Sequence, residues 1–170
     1  MGVDSAAPDA AAHRWTPPGA TERLAILRRA RTVALVGASD NPSRASYFVA
    51  TYLLASSPYQ VWFVNPRVRT ILGRPVYASL ADLPGPPDVV GVFRRHSDLP
   101  GVLDEAITAR ASVFWLQLGL WHEEVAEQGT AAGLTVVMNR CLKIEHARFA
   151  GGLHLAGFNT GVISSRRTAL

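Results

Sequence analysis

The chain predicts an α/β protein: a doubly wound, mostly parallel five-stranded sheet with helices on both faces. Three observations carry this. Short apolar runs such as Val33-Ala34-Leu35-Val36 and Val61-Trp62-Phe63-Val64 have strand length and are bounded by turn residues, the pattern of strands buried on both sides. These runs alternate with segments of helical periodicity, which calls for crossover connections and a parallel sheet. Right-handed crossovers then distribute the helices over both faces.

Taken in order, residues 1–20 are rich in Ala, Pro, Asp and Gly, lack periodicity and close on Pro17-Pro18-Gly19, so they read as a flexible amino-terminal extension. Thr21 can cap a first helix, with Glu22 in its first turn, Leu24 and Leu27 facing inward, and Arg28, Arg29 and Arg31 matching the dipole at its end. The run Val33 to Val36 is the first strand, and Gly37-Ala38-Ser39-Asp40-Asn41-Pro42 the turn after it. Asn41 reads as the N-cap and Pro42 as the first turn of a helix whose apolar face is Ala45, Phe48, Val49, Tyr52 and Leu53.

Val61 to Val64 is the second strand, stopped by Asn65-Pro66. Arg67 to Tyr77 is an irregular connection with room for one short strand, after which Ser79 caps a helical turn through Leu83. Asp88 to Phe93 is the third strand; Ser97 or Asp98 caps a helix that takes Pro100 in its first turn and runs to about Arg110. Ser112 to Leu116 is the fourth strand, His122 to Ala132 a helix, and Leu134 to Met138 the fifth strand. The domain therefore covers 21–149. The extension 150–170 carries Leu153, Leu155, Phe158, Val162 and Ile163, apolar enough to pack on the domain, on a second copy of the chain or on a partner enzyme.

Composition narrows the function. With 17 Lys+Arg against 13 Asp+Glu the net charge is +4, and Lys143 is the only lysine. The arginines are scattered, without zinc-finger or basic-zipper spacing, so a phosphorylated small ligand accounts for them better than nucleic acid. The one cysteine, Cys141, excludes an intrachain disulfide and points to a reducing compartment. No secretory signal and no apolar run of the ~18 residues needed to cross a bilayer are visible, so a cytoplasmic location without membrane partners is expected.

In a doubly wound sheet, ligands bind beyond the carboxyl ends of the strands. Those ends supply Gly37-Ala38-Ser39, Asn65-Pro66-Arg67, Phe93-Arg94-Arg95, Gln117-Leu118-Gly119 and Asn139-Arg140-Cys141. The first turn departs from the dinucleotide pattern G-x-G-x-x-G, since Ser39 and Pro42 stand where its second and third glycines would be. It still offers a helix N-terminus to a phosphate. A NAD site would carry a carboxylate after the second strand; here Asn65 and Arg67 tolerate an anionic ribose, as found in NADP and in coenzyme A.

The ordered blocks Val36-Gly37-Ala38-Ser39-Asp40-Asn41-Pro42-Ser43-Arg44, Val64-Asn65-Pro66, Ile71-Leu72-Gly73, Val92-Phe93-Arg94-Arg95, Trp115-x-Gln117-x-Gly119 and Met138-Asn139-Arg140-Cys141-x-Lys143-Ile144-Glu145 resemble the stand-alone CoA-binding protein family. That family is similar in fold to the CoA-binding domain of the succinyl-CoA synthetase alpha subunit. The resemblance covers roughly Arg31 to Arg148 and implies a Rossmann-like domain that binds coenzyme A at the strand ends; the expectation built on it is a binding or regulatory module for coenzyme A or acyl-CoA without chemistry of its own. It places the pocket on Gly37, Ser39, Asn41, Pro42, Ser43, Asn65, Pro66, Phe93, Arg94, Gln117 and Gly119. Arg67, then Arg44, are added as partners of the 3′-phosphate. The runner-up is an NADP-binding protein or NADP-dependent oxidoreductase. Asn139 stands where the family's pattern has an aspartate.

Catalytic and metal-binding constellations are not visible. The five histidines, at 13, 96, 122, 146 and 154, show no ligand spacing, and Ser39 has no evident His/Asp pair. Cys141 reads as a small buried residue or, with Arg140 and Lys143 beside it, as a thiol able to form a mixed disulfide with CoA.

Overall fold

A computed structural model describes residues 14–149. Its strands are β1 (Thr32–Val36), β2 (Gln60–Val64), β3 (Thr70–Ile71), β4 (Arg74–Tyr77), β5 (Val89–Val92), β6 (Val113–Leu116) and β7 (Thr135–Val137). The helices are α1 (Ala20–Arg29), α2 (Ala45–Ser56), α3 (Leu99–Thr108), α4 (Glu123–Ala131) and α5 (Leu142–Phe149). Residues 1–13 of the expected amino-terminal extension and all of 150–170 lie outside the described residues. In the described part of the former, Trp15 donates its indole N–H to Val136 O at 2.8 Å and meets Trp121 edge-on.

The sheet is α/β and doubly wound as predicted, but it has seven strands in the order β3-β4-β2-β1-β5-β6-β7, two more than expected. The additions are a small hairpin: β4 pairs parallel with the end of β2, and β3 folds back antiparallel on β4. Its corner is Leu72-Gly73, with φ of 49° and 74°. Positive φ at both central residues suits the twist of a two-residue hairpin, but only Gly73 adopts it freely.

Alternation along each buried strand separates two cores. Ala34, Val36, Val90, Val92, Phe114 and Leu116 face α3 and α4. Val33, Leu35, Phe63, Val89 and Trp115 face α1, α2 and α5. Helices therefore cover both faces. Asp88 fixes the register at the opposite end of the sheet, accepting from the N–H groups of Arg31 (2.7 Å) and Thr32 (3.0 Å), while its own N–H donates to Thr32 Oγ1.

Connectivity positions the site. From β1 the chain moves outward to β2 and the hairpin, then crosses back to lay β5 on the other side of β1. The winding direction reverses there, so the chain leaves the paired ends of β1 and β5 toward opposite faces, to α2 and to α3. A crevice follows from that topology alone.

Two helices begin differently from expectation. α2 starts at Ala45, because Asn41 Oδ1 is used by the N–H and hydroxyl of Ser43 (3.0 and 2.8 Å) in a local turn. Its buried face is Ser46, Val49, Ala50 and Leu53, which leaves Phe48 58% exposed. α1 starts at Ala20, one residue before the expected Thr21 cap.

Candidate functional site

The crevice begins at Gly37. Its N–H donates to Val64 O (2.9 Å) and the Phe93 N–H to Val36 O (2.8 Å), which ties the ends of β1, β2 and β5 together. Gly37 has φ of 79°, and a Cβ there would overlap the Phe93 carbonyl and lie 2.9 Å from Arg94 Cδ. Only glycine meets both demands.

Beyond it the loop satisfies most of its own amides. Ser39 N–H donates to the buried Ser46 Oγ (3.1 Å), Asn41 N–H to Ser39 Oγ (3.1 Å), and Arg44 N–H to Asn41 O (3.0 Å). The N–H groups of Ala38, Asp40, Ala45 and Ser46 have no partner among the described residues. Ala45 and Ser46 open the twelve-residue α2, so their free N–H groups coincide with the positive end of its dipole.

Two depressions meet at Gly37, Phe93 and Arg94. The inner one, of about 500 Å³, lies between the start of α2 and the start of α5 and is walled by Val49, Phe93, Leu118, Leu120, Cys141 and Ile144, with Gln117 beneath. The outer one, of about 410 Å³, is bounded by Asn65, Pro66, Arg67, Arg95 and Asp98. Four arginines (Arg44, Arg67, Arg94 and Arg95) and one carboxylate, Asp98, line the pair, which makes it an attractive field for an anion. Arg94 spends its charge on Asp98, at 3.1 Å. Among the described residues Arg44, Arg67 and Arg95 have no acidic partner.

Of the residues singled out from sequence, Gly37, Ser39, Arg44, Phe93, Arg94 and Gln117 line the inner cleft. Asn65, Pro66 and Arg67 line the outer one. Asn65 acts as a brace: its Nδ2 donates to Ala38 O (2.8 Å) and its Oδ1 accepts from Arg67 N–H (2.9 Å). Asn41, Pro42 and Ser43 form the exposed outer turn, and Gly119 is exposed with its N–H on Asn139 Oδ1 at 2.8 Å; none of these four lines either depression. Asn139 has φ of 55°, a conformation asparagine tolerates, and an amide oxygen accepts this bond as a carboxylate oxygen would. Ser46, Leu120 and Ile144 were not anticipated. Ser46 gave no signal because a polar residue stands on the buried face of its helix.

Gln117 has an unusual environment. It is 5% exposed, its Oε1 accepts from Leu142 N–H (3.1 Å), and its Nε2 has no hydrogen-bond partner among the described residues. The carboxamide fits because Gly91 in β5 has no side chain; a Cβ there would stand 3.2 Å from Nε2. A buried amide donor left unpaired costs about 1–3 kcal/mol.

The wall holding Cys141 is firmly supported. Arg140 N–H donates to Leu116 O (3.3 Å), and the Trp115 indole N–H donates to Arg140 O (2.8 Å). Beneath α5, Glu145 forms a buried pair with Arg23 of α1 at 2.9 Å and reaches Arg140 at 3.6 Å. His146, 2% exposed, shares a 2.9 Å hydrogen bond with the Tyr52 hydroxyl; burial holds its pKa below the usual 6.5 and raises those of Tyr52 and Tyr59.

His96 and His122 are stacked on each other, 4.6 Å between centroids, and His122 Nδ1 accepts from Val125 N–H at the start of α4. Among the described residues no group of three His, Cys, Asp or Glu side chains could hold a metal, and no helix is long and apolar enough to cross a membrane.

A parallel sheet with a reversal in winding, a glycine at the reversal and an anion-attracting cleft above it define a Rossmann-like ligand-binding domain. Residues 31–147 match the CoA-binding domain family, and the chain belongs to it. It is 40% identical over 130 residues to the uncharacterized protein YneT of Bacillus subtilis, covering 76% of this chain and 96% of that one. A hypothetical protein from Pyrococcus horikoshii has the same fold, with 35% identity and a TM-score of 0.75 over 81% of this chain and 99% of that one. A structure from Thermus thermophilus gives 39% identity and a TM-score of 0.73 over 77% and 98%.

Proposed function

We propose that the joined depressions bind coenzyme A or an acyl-CoA, and that the protein serves as a cytoplasmic binding or regulatory module, without chemistry of its own, toward this small-molecule ligand. Gln117 carries the reading: an unpaired amide donor at the floor of a largely apolar cleft fits an arm that is apolar but punctuated by amide carbonyls, as pantetheine is. The remaining donors fit the other parts. The free N–H groups at the start of α2 would hold the pyrophosphate, the outer depression beside Asn65-Pro66 the adenosine, and Arg67 the 3′-phosphate, with Arg95 nearby and Arg44 second in line.

Calorimetry with CoA, dephospho-CoA, NAD and NADP tests this. CoA should bind tightest and NAD weakest, since a charge-assisted bond to the 3′-phosphate contributes about 1.5–3 kcal/mol. Asn65 and Arg67 would admit the 2′-phosphate of NADP as readily. Tighter binding of NADP than of CoA would therefore replace this reading with an NADP site, and no heat with any of the four would leave a scaffold without a ligand.

A further inference from the structure

We propose that Cys141 is a thiol–disulfide exchange site for the sulfur end of the bound ligand, with Gln117 setting the register of the arm that carries it; this rests on the CoA reading above. Two independent observations converge on one spot. Cys141 lines the inner cleft, half-buried, with its backbone fixed on both sides by the Arg140 and Leu142 hydrogen bonds to β6 and Gln117. Gln117, 5% exposed and with a buried Nε2 that has no partner among the described residues, lines the same cleft.

Their separation is set by the chain. Gln117 Oε1 is 3.1 Å from Leu142 N, and that nitrogen is bonded to the Cys141 carbonyl carbon. The carboxamide therefore sits within roughly two bond lengths and one hydrogen bond of Cys141 Cα. In CoA the thiol follows the last amide by two methylene groups. An arm whose last amide carbonyl accepts from Gln117 Nε2 thus has a sulfur within the span of one short side chain of that amide, and Cys141 is the one cysteine in the sequence.

The step is an exchange between sulfurs. Cys141 Sγ, as the thiolate, attacks one sulfur of a CoA disulfide; the new Sγ–S bond forms as the old S–S bond breaks, and the departing half leaves as a thiolate that takes up the proton Cys141 gave to solvent. One disulfide is consumed and one is made. A second thiol reverses the step.

The test is intact-mass spectrometry of the full chain incubated with CoA disulfide, beside 2-hydroxyethyl disulfide as an unguided reagent. The expected result is a single CoA adduct, removed by dithiothreitol and absent from Cys141→Ser. It should form about tenfold or more faster than the hydroxyethyl adduct, because binding raises the local concentration of the reacting sulfur. Excess desulfo-CoA should suppress the CoA adduct and leave the hydroxyethyl reaction of a Gln117→Leu variant unaffected, while Gln117→Leu should lower the rate ratio of the two reagents. Equal rates, or no suppression by desulfo-CoA, would reduce Cys141 to an accessible thiol and overturn the proposal. Calorimetric binding of CoA in that case would leave the binding reading standing; absence of binding would remove both. Circular dichroism of the Gln117 variant separates loss of register from loss of fold.

Discussion

The outer and inner halves of the groove meet at Gly37 and Phe93, yet they are built on opposite principles. The outer half is made of exposed loop residues, Pro66, Arg67 and Arg95, held by short-range bonds such as Asn65 Oδ1 to Arg67 N–H. The inner half is made of two helix starts brought together over the sheet from positions far apart in the chain, with a buried amide as its floor. On the proposed reading, charge at the rim would govern attraction and discrimination between phosphates, and burial in the cleft would govern register and what the far end of a ligand meets. Loss of an outer residue should therefore change which ligand binds, and loss of an inner one whether the cleft exists.

The strongest break of that division is at the junction. Gly37→Val should abolish CoA binding in calorimetry, since its Cβ would overlap the Phe93 carbonyl shared by both halves, and the φ of 79° alone adds about 1–3 kcal/mol of strain to any β-branched residue. Next is the support of the inner half: Glu145→Ala leaves Arg23, 9% exposed, without its carboxylate. Unfolding in urea should show a loss of about 3–5 kcal/mol, and an unchanged midpoint would mean that α5 does not depend on this pair.

Arg67→Ala acts on the outer half alone. CoA should weaken by about tenfold or more and dephospho-CoA hardly at all, as 1.4 kcal/mol is a decade in affinity. Equal weakening of both would move the adenosine elsewhere. The smallest effect is that of His146, which faces Tyr52 and Tyr59 and is held neutral by burial. A depressed folded-state pKa means the unfolded chain binds the proton more readily, so this contribution is present above about pH 6.5 and is lost as pH falls through the folded value. The slope should not exceed about 1.4 kcal/mol per pH unit, and thermal melts of His146→Gln should show it flattened.

What was legible follows from which residues are buried. Five parallel strands and their crossovers were visible because Val, Leu, Phe and Trp, interrupted only by Ala34 and Gly91, form apolar runs in strands covered on both faces. The hairpin β3–β4 was not, since its strands are two and four residues long, include Pro75 and are exposed at Thr70, Arg74 and Pro75. Helix α5 escaped for a different reason: its buried positions are Leu142, Glu145 and His146, while Ile144 is exposed, so apolar periodicity points the wrong way. The same inversion hid Ser46 and displaced the start of α2, where Asn41 closes a turn instead of capping the helix. The cleft residues legible in sequence lie at or shortly after strand ends; of those that were not, Ser46 and Ile144 lie on the helices facing them and Leu120 in the loop after β6.

The Arg23–Glu145 pair spans 122 residues of chain. During synthesis the arginine emerges early and waits, its partner and the cleft wall arriving only with the last described helix. Every strand of the sheet can be out of the ribosome while the α5 wall of the inner half is still missing. The rim residues thus precede the α5 wall in the order of translation, and the cleft closes only when that helix has been made.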